Sequence, residues 1–267
     1  MPECAEVKLM SDFINKFKDK KFSKIEKSPV SKVKTDLSTL DFSEFIVEAS
    51  SRGKELMLSF TDTTKEIAEQ VRMKVTLGMS GNWVFYDPKD PSNEKIHKHV
   101  HLRISDSEGY ILGLIDVRRF AKWSWGGYDV RRGPCPLQDS TAFADNVTDN
   151  IKTHKDFKKP LSEVLMNQRW FNGVGNYLRA EILYRMNVDP FQLASSLSDQ
   201  EAELLVYRTV KCIQQAYKLG GGQLRDWKNP DGEDPTSFRE WIKCYGVLES
   251  ITDGTGRTFW FDKKWKK

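Results

Sequence analysis

The spacing of apolar side chains changes character partway along the chain. Near the start, Val7, Met10, Ile14 and Phe17 recur at steps of three and four, which predicts an amphipathic helix over residues 6–17. The next hundred residues follow a period of two. Val71, Met73, Val75 and Leu77 alternate with Arg72, Lys74 and Thr76, the pattern of a half-buried strand. Strands are also expected at 83–86, 99–104 and 110–115, between turn-rich breaks such as Asp87-Pro88 and Ser107-Glu108-Gly109. Short strands spaced in this way predict a sandwich. Beyond Pro134 the pattern turns helical, with helices expected over 161–170 and 177–186 on either side of Asn172-Gly173-Val174-Gly175-Asn176. A longer helix opens at Ser198, where Glu201 completes a capping box, and stops at Gly220-Gly221-Gly222. A Gly/Pro/Asp-rich link leads to residues 238–245 and to a hairpin around Asp253-Gly254-Thr255-Gly256, flanked by Ile251 and Phe259-Trp260-Phe261.

These elements describe an α+β chain of more than one domain. Residues 1–133 are expected to form an N-terminal helix plus a two-sheet β-sandwich, and residues 134–267 a helical domain ending in a small β element at about 240–262, with a linker near 130–150. A length of 267 residues supports two domains, and 39% hydrophobic with 12% aromatic content excludes a disordered chain.

Charge adds less than its distribution does. The net charge of +4 fits many soluble enzymes, but lysines gather between Lys16 and Lys34 and again at Lys263, Lys264, Lys266 and Lys267 around Trp265. Such patches either follow a phosphate backbone or are simply solvated surface. The cysteines at 4, 135, 212 and 244 contain no CxxC pair, which excludes a four-cysteine zinc site and argues against a disulfide framework. The chain holds no apolar run of membrane-spanning length and does not begin like a signal peptide, so a reduced, intracellular setting is expected.

Two segments carry candidate chemistry. In Met1-Pro2-Glu3 the small second residue permits removal of Met1, and Pro2 would then expose a secondary amine able to attack a sugar carbon and form an iminium. Glu3 beside it could donate or relay a proton. Between the two expected helices, Gly173 and Gly175 permit a tight turn with backbone amides at a helix start, which suits a phosphate, and Asn176 could donate to the same group; an ordinary helix–helix turn is the other reading. The segment lacks GxGxxG or Walker spacing, so a nucleotide cofactor is disfavoured. His97, His99 and His101 would share one face of a strand, but Lys98 and Arg103 nearby oppose a metal ion.

Taken together and in order, Met1-Pro2-Glu3 with Glu6, Arg52-Gly53-Lys54-Glu55-Leu56, Leu77-Gly78-Met79-Ser80-Gly81, Asp116-Val117-Arg118-Arg119-Phe120, the 172–181 segment and Gly256-Arg257-Thr258-Phe259-Trp260-Phe261 resemble the Fpg/Nei family of DNA glycosylases. The likeness is strongest to its eukaryotic Nei-like 1 branch and spans essentially the whole chain. It implies a bifunctional glycosylase and AP lyase of base excision repair, acting on oxidised pyrimidines and ring-opened purines in duplex and also single-stranded DNA. The resemblance further implies a monomer that works in the nucleus, and also in mitochondria, without cofactor, metal or membrane.

The family's roles fall on Pro2 as nucleophile, Glu3 as acid, and Lys54 as the phosphate-contacting lysine that assists elimination. Met79, Arg118 and Phe120 match the residues that fill the gap left by a flipped nucleotide; for Met79 and Phe120 core packing is the alternative, for Arg118 a surface ion pair. Asn176 and Arg257 match two phosphate clamps. Glu6, Lys243 and Tyr245 match positions tied to lesion recognition. The 172–181 segment resembles the helix–two-turns–helix motif, and the C-terminal hairpin a zincless finger. One departure is plain: the family's usual Gly and Pro at positions 4 and 5 are Cys4 and Ala5 here. That leaves a catalytically impaired DNA-binding relative as the alternative function, and a sandwich adaptor for a protein partner as a third.

Overall fold

The computed structural model describes residues 2–224, 227–254 and 256–266; Met1 of the N-terminal motif, Thr255 of the expected hairpin and Lys267 of the expected basic patch lie outside them. The chain divides into two compact units. Pro2, Glu6–Tyr128 and Gln223–Glu233 belong to the first, and Glu3–Ala5, Asp129–Gly222 and Asp234–Lys267 to the second.

Helix α1 (Cys4–Asn15) opens the chain, and its stripe of Val7, Met10 and Ile14 is fully buried. Side chains fix its position on the first unit's sandwich. Asn15 pairs with both backbone groups of Ala49, at 2.8 and 2.7 Å, and the Ser11 hydroxyl donates to the Ala49 carbonyl at 3.0 Å.

The sandwich strands are β1 (Lys24–Lys27), β2 (Phe45–Arg52), β3 (Glu55–Asp62), β4 (Gln70–Thr76), β5 (Asn82–Tyr86), β6 (Val100–Ser105), β7 (Ile111–Ile115) and β8 (Lys122–Trp125), with the short α2 (Glu94–His97) before β6. They form two antiparallel sheets, ordered β1-β6-β7-β5 and β2-β3-β4-β8. On β4 the expected alternation holds, with Met73 and Val75 buried. The core between the sheets is aromatic: Phe22, Phe45, Phe60 and Trp83 are at most 1% exposed, and burial of each Phe stabilises by about 1.5–3 kcal/mol. Trp227 lies in the same cluster, which is why residues 223–233 belong to this unit although they follow a long helix of the other.

The second unit contains α3 (Ser140–Thr148), α4 (Leu161–Val164), α5 (Asn176–Met186), α6 (Asp199–Lys218), α7 (Thr236–Trp241) and the hairpin β9 (Glu249–Thr252) and β10 (Thr258–Phe261). The capping box at Ser198 and Glu201 is formed, and α6 is followed by two positive-φ glycines, Gly220 and Gly221. Two expectations need correction. Residues 130–150 are no linker, because Asp139 caps α3 through the Ala142 amide and Phe143 and Val147 are buried. The helix expected over 161–170 stops after Val164, where the Asn167 side chain accepts the Arg169 amide and replaces the helical bond with a local turn.

A bulge in β6 also breaks the expected histidine face. Val100 pairs with Ile115 and Leu102 with Leu114, so His101 is the extra residue and turns inward, 4% exposed. His97 instead ends α2 against the Tyr86 hydroxyl, at 2.8 Å. His101 Nε2 faces the Asp116 carbonyl at 3.1 Å and must carry the proton there, while its buried Nδ1 has no partner among the described residues. Burial therefore holds the imidazole below its ordinary value of 6.5. The unfolded chain binds the extra proton first, so stability is complete above that value and declines as pH falls toward the folded one. The melting temperature is expected to drop between about pH 7 and about pH 5, with a shallower slope in His101→Gln measured by calorimetry over the same range.

Candidate functional site

Helix α5 begins at a residue that cannot cap it. Gly175 occupies the cap position and has no side chain, so the first amides need an outside acceptor. Glu3 supplies it: its carboxylate accepts from the amides of Gly175 at 2.6 Å, Tyr177 at 3.0 Å and Leu178 at 3.3 Å. The Cys4 amide donates to the Gly173 carbonyl at 3.0 Å, and Glu3 is 3% exposed. A carboxylate at the positive end of a helix is favoured by its dipole as well as by these bonds. The amides read as phosphate donors are thus occupied by the chain's own third residue. Pro2, covalently next to Glu3, is buried.

Asn176, the first residue of α5, faces the C-terminal hairpin. Its amide nitrogen donates to the Thr258 carbonyl at 2.8 Å, and its oxygen accepts from Arg179 Nη2. Arg179 is fully buried and pairs through Nη1 with Asp253 at 2.6 Å and the Ser162 carbonyl at 3.0 Å, its guanidinium lying 4.6 Å from the Phe259 ring centre. Burial draws Arg179 below its ordinary pKa, and the Asp253 carboxylate opposes that shift. The other Asp253 oxygen accepts the Arg257 amide at 3.0 Å, and the Asp253 amide returns a bond to the Arg257 carbonyl at 2.8 Å. One buried ion pair therefore ties Asn176 to the turn that presents Arg257, whose side chain is exposed.

One turn further on, Glu181 does similar work for a different loop. It is fully buried, accepts the amides of Lys243 at 3.1 Å, Cys244 at 2.8 Å and Tyr245 at 2.9 Å, and pairs with Arg185. Arg185 donates in turn to the Trp241 carbonyl at 2.7 Å. Lys243 is left exposed, and the Tyr245 ring packs 4.3 Å from that of Trp260. Burial pushes the Cys244 thiol up to about 12, so it stays protonated near neutrality. Among the described residues no group of three His, Cys, Asp or Glu side chains could hold a metal ion.

The first unit places the other candidates on loops, except Glu6 on α1. Gly53 (φ 58°) and Lys54 form the two-residue turn between β2 and β3, closed by the pair Arg52 and Glu55, and Lys54 is half-buried. Glu6 is 1% exposed in the first turn of α1. Met79 is half-buried in the turn 77–81. Phe120 is 50% exposed, which excludes core packing for it, and the exposed Arg118 lies 5.1 Å from its ring centre. In the basic tail, Lys264 pairs with Asp262 and Lys266 with Glu249, so part of that charge is compensated locally.

Four side chains that arrange these positions, Arg179, Glu181, Asp253 and Asp116, had no role in the reading of the sequence. A signal was present for two of them. Arg179 and Glu181 sit within the run Tyr177 to Leu183, where every residue proves buried.

Family models match almost the whole chain: the formamidopyrimidine-DNA glycosylase N-terminal domain at residues 1–123, the H2TH domain of the same glycosylase at 133–228, and the DNA-binding segment of endonuclease VIII-like 1 at 234–264. Human endonuclease 8-like 1 is 35% identical over 98% of this chain and 72% of its own length. In fold, the MutM (Fpg) protein of Thermus thermophilus superposes with a TM-score of 0.78 at 23% identity, covering 99% of this chain and 98% of its own. Lactococcus lactis Fpg in complex with DNA containing an abasic site superposes at 0.75 and 21% identity, covering 99% of each chain.

The Arg179–Asp253 pair is open to direct measurement. Arg179→Met strands a carboxylate that is 5% exposed, together with the Ser162 and Asn176 oxygens, and is expected to cost about 3–5 kcal/mol in denaturant unfolding. Adding Asp253→Asn should recover part of that loss; two additive losses would show that the pair is not coupled.

Proposed function

The chain belongs to the formamidopyrimidine-DNA glycosylase and endonuclease VIII family of DNA-repair glycosylases and AP lyases, and we propose that it works on damaged DNA through the nitrogen of Pro2. With Met1 removed, that secondary amine attacks the anomeric carbon of the damaged nucleoside and the base leaves. The resulting iminium acidifies the neighbouring sugar carbon, so successive β- and δ-elimination release the two flanking phosphates. No cofactor is required for these steps. Glu3 acts as the proton carrier: its carboxylate takes the proton that the Pro2 nitrogen sheds after attack and passes it to the sugar oxygen as the ring opens. The observation that carries this reading is the grip of three α5 amides on the Glu3 carboxylate, which fixes the residue covalently next to the nucleophile.

The remaining roles follow from that assignment. Lys54, at the tip of a tight hairpin, meets phosphate beside the lesion and assists elimination. Asn176 and Arg257, tied together by Arg179 and Asp253, clamp the backbone. Met79, Arg118 and Phe120 fill the stack vacated by the flipped nucleotide, offsetting the few kcal/mol that extrusion costs. Glu6 and the 243–245 loop held on Glu181 address the lesion, of the oxidised-pyrimidine or ring-opened-purine class. Residues 1–133 serve as the catalytic domain and residues 134–267 as the helix–two-turns–helix DNA-binding domain with a zincless finger. We further propose that it works in the nucleus, the setting that the resemblance to the Nei-like 1 branch implies.

Cys4 and Ala5 do not weaken this reading. Both lie at the start of α1 or just inside it, and neither has a positive φ, so the position does not require the backbone freedom of glycine.

Glu3→Gln keeps shape and cannot shuttle a proton. It is expected to abolish removal of a damaged base while leaving measurable cleavage and borohydride trapping on a pre-formed abasic site, which already presents an aldehyde. A blocked N-terminus should abolish both reactions, because an amide nitrogen has no lone pair to give. A trapped adduct from protein shown by mass spectrometry to be blocked would transfer the nucleophile's role to a lysine, with Lys54 first in line.

The clamps predict a different signature. Asn176→Ala and Arg257→Ala should weaken binding to all DNA sequences alike and make the slope of log K against log salt shallower, by about one unit or less per lost contact. Unchanged affinity and slope in both variants would remove them from the DNA surface.

A further inference from the structure

Two loops of the first unit carry the proposed gap-filling side chains: the turn 77–81, which bears Met79, and the loop 116–121, which bears Arg118 and Phe120. They are joined by Asp116, which is 1% exposed. One carboxylate oxygen accepts the Ser80 hydroxyl at 2.5 Å and the Arg118 amide at 3.2 Å. The other accepts the amides of Phe120 and Ala121, each at 2.7 Å. The three amides are what a carboxylate needs to shape its own loop. The Ser80 hydroxyl is extra: it comes from the other loop and is itself only 6% exposed. A second contact runs the same way. Gly78 has φ +58°, and a Cβ there would fall 2.7 Å from the Phe120 carbonyl carbon, so the turn rests directly on the Phe120 backbone.

We propose that Ser80 and Asp116 are positioning residues that lock the two loops into one wedge, so that Met79, Arg118 and Phe120 enter the base stack together. Neither residue touches DNA. Their effect is pre-organisation: two loops ordered separately at the moment of insertion would each lose conformational freedom then, and a locked pair has already lost it. The inference rests on the gap-filling role assigned above, and it adds that this role depends on a bond between the loops.

The test compares Ser80→Ala with the parent on one lesion in duplex and in single-stranded DNA, with Met79→Ala and Phe120→Ala run alongside. Loss of one hydrogen bond to a charged acceptor should lower kcat/KM on duplex roughly tenfold. Excision from single strands, where no stack must be filled, should stay at the parent level, and the melting temperature, lowered by the lost buried bond, should stay well above the assay temperature. Ser80→Cys keeps the shape with a weaker donor and should fall between the two, which preserves the test if Ser80→Ala folds poorly. Adding Ser80→Ala to Phe120→Ala should cost little beyond Phe120→Ala alone, since the wedge is already broken. Equal losses on both substrates, or no loss on duplex while Met79→Ala and Phe120→Ala still lose duplex activity selectively, would overturn the link and leave the gap-filling role standing. If Met79→Ala and Phe120→Ala show no duplex-selective loss, the gap-filling role falls and the link falls with it.

Discussion

The site depends first on a helix whose cap position is a glycine. Had Gly175 been a serine or an aspartate, α5 would cap itself and its first amides would be taken. Because glycine leaves them open, the carboxylate of Glu3 becomes their acceptor, and a residue at the extreme start of the chain is anchored to a helix more than 170 positions later. Terminal segments are ordinarily the least ordered part of a domain. Here the terminal segment carries the proposed nucleophile, and three charge-assisted bonds replace the mobility that would otherwise scatter it. The same bonds hold the residue beside the proposed nucleophile on α5 of the second unit.

That helix organises its unit through buried charge. Arg179 and Glu181 are both fully buried on α5, an arrangement that costs several kcal/mol per ion unless each is paired and hydrogen-bonded. Both are. Arg179 reaches Asp253 and orders the turn bearing Arg257, while Glu181 collects three successive amides of the loop bearing Lys243 and Tyr245. Apolar residues could fill the same volume but could not satisfy loop amides or dictate where an exposed side chain emerges. Asp116 follows the same principle in the first unit, with one carboxylate holding two loops. The exposed groups proposed to meet DNA are thus fixed at their roots.

Much of the fold was legible because period and capping are local. The α1 stripe, the β4 alternation and the Ser198 capping box depend on residues within a few positions of one another, and each formed where the pattern placed it. The misses came where a side chain competed with the backbone or a strand irregularity intervened: Asn167 holds a local turn beyond Val164, and the β6 bulge turned His101 inward.

The candidate residues divide along the same line. Pro2, Glu3, Lys54, Asn176 and Arg257 could be named from the sequence because their motifs are contiguous and carry the likeness to the family. The exposure of Phe120 and the occupation of the α5 amides by Glu3 could not. Nor could the support given by Arg179 to Asp253, by Glu181 to the 243–245 loop and by Asp116 to Ser80. A motif specifies which groups are present. Which donor finds which acceptor across 36, 74 or 172 positions is decided by the packing that brings those segments together and by the cost of leaving any buried polar group unpaired.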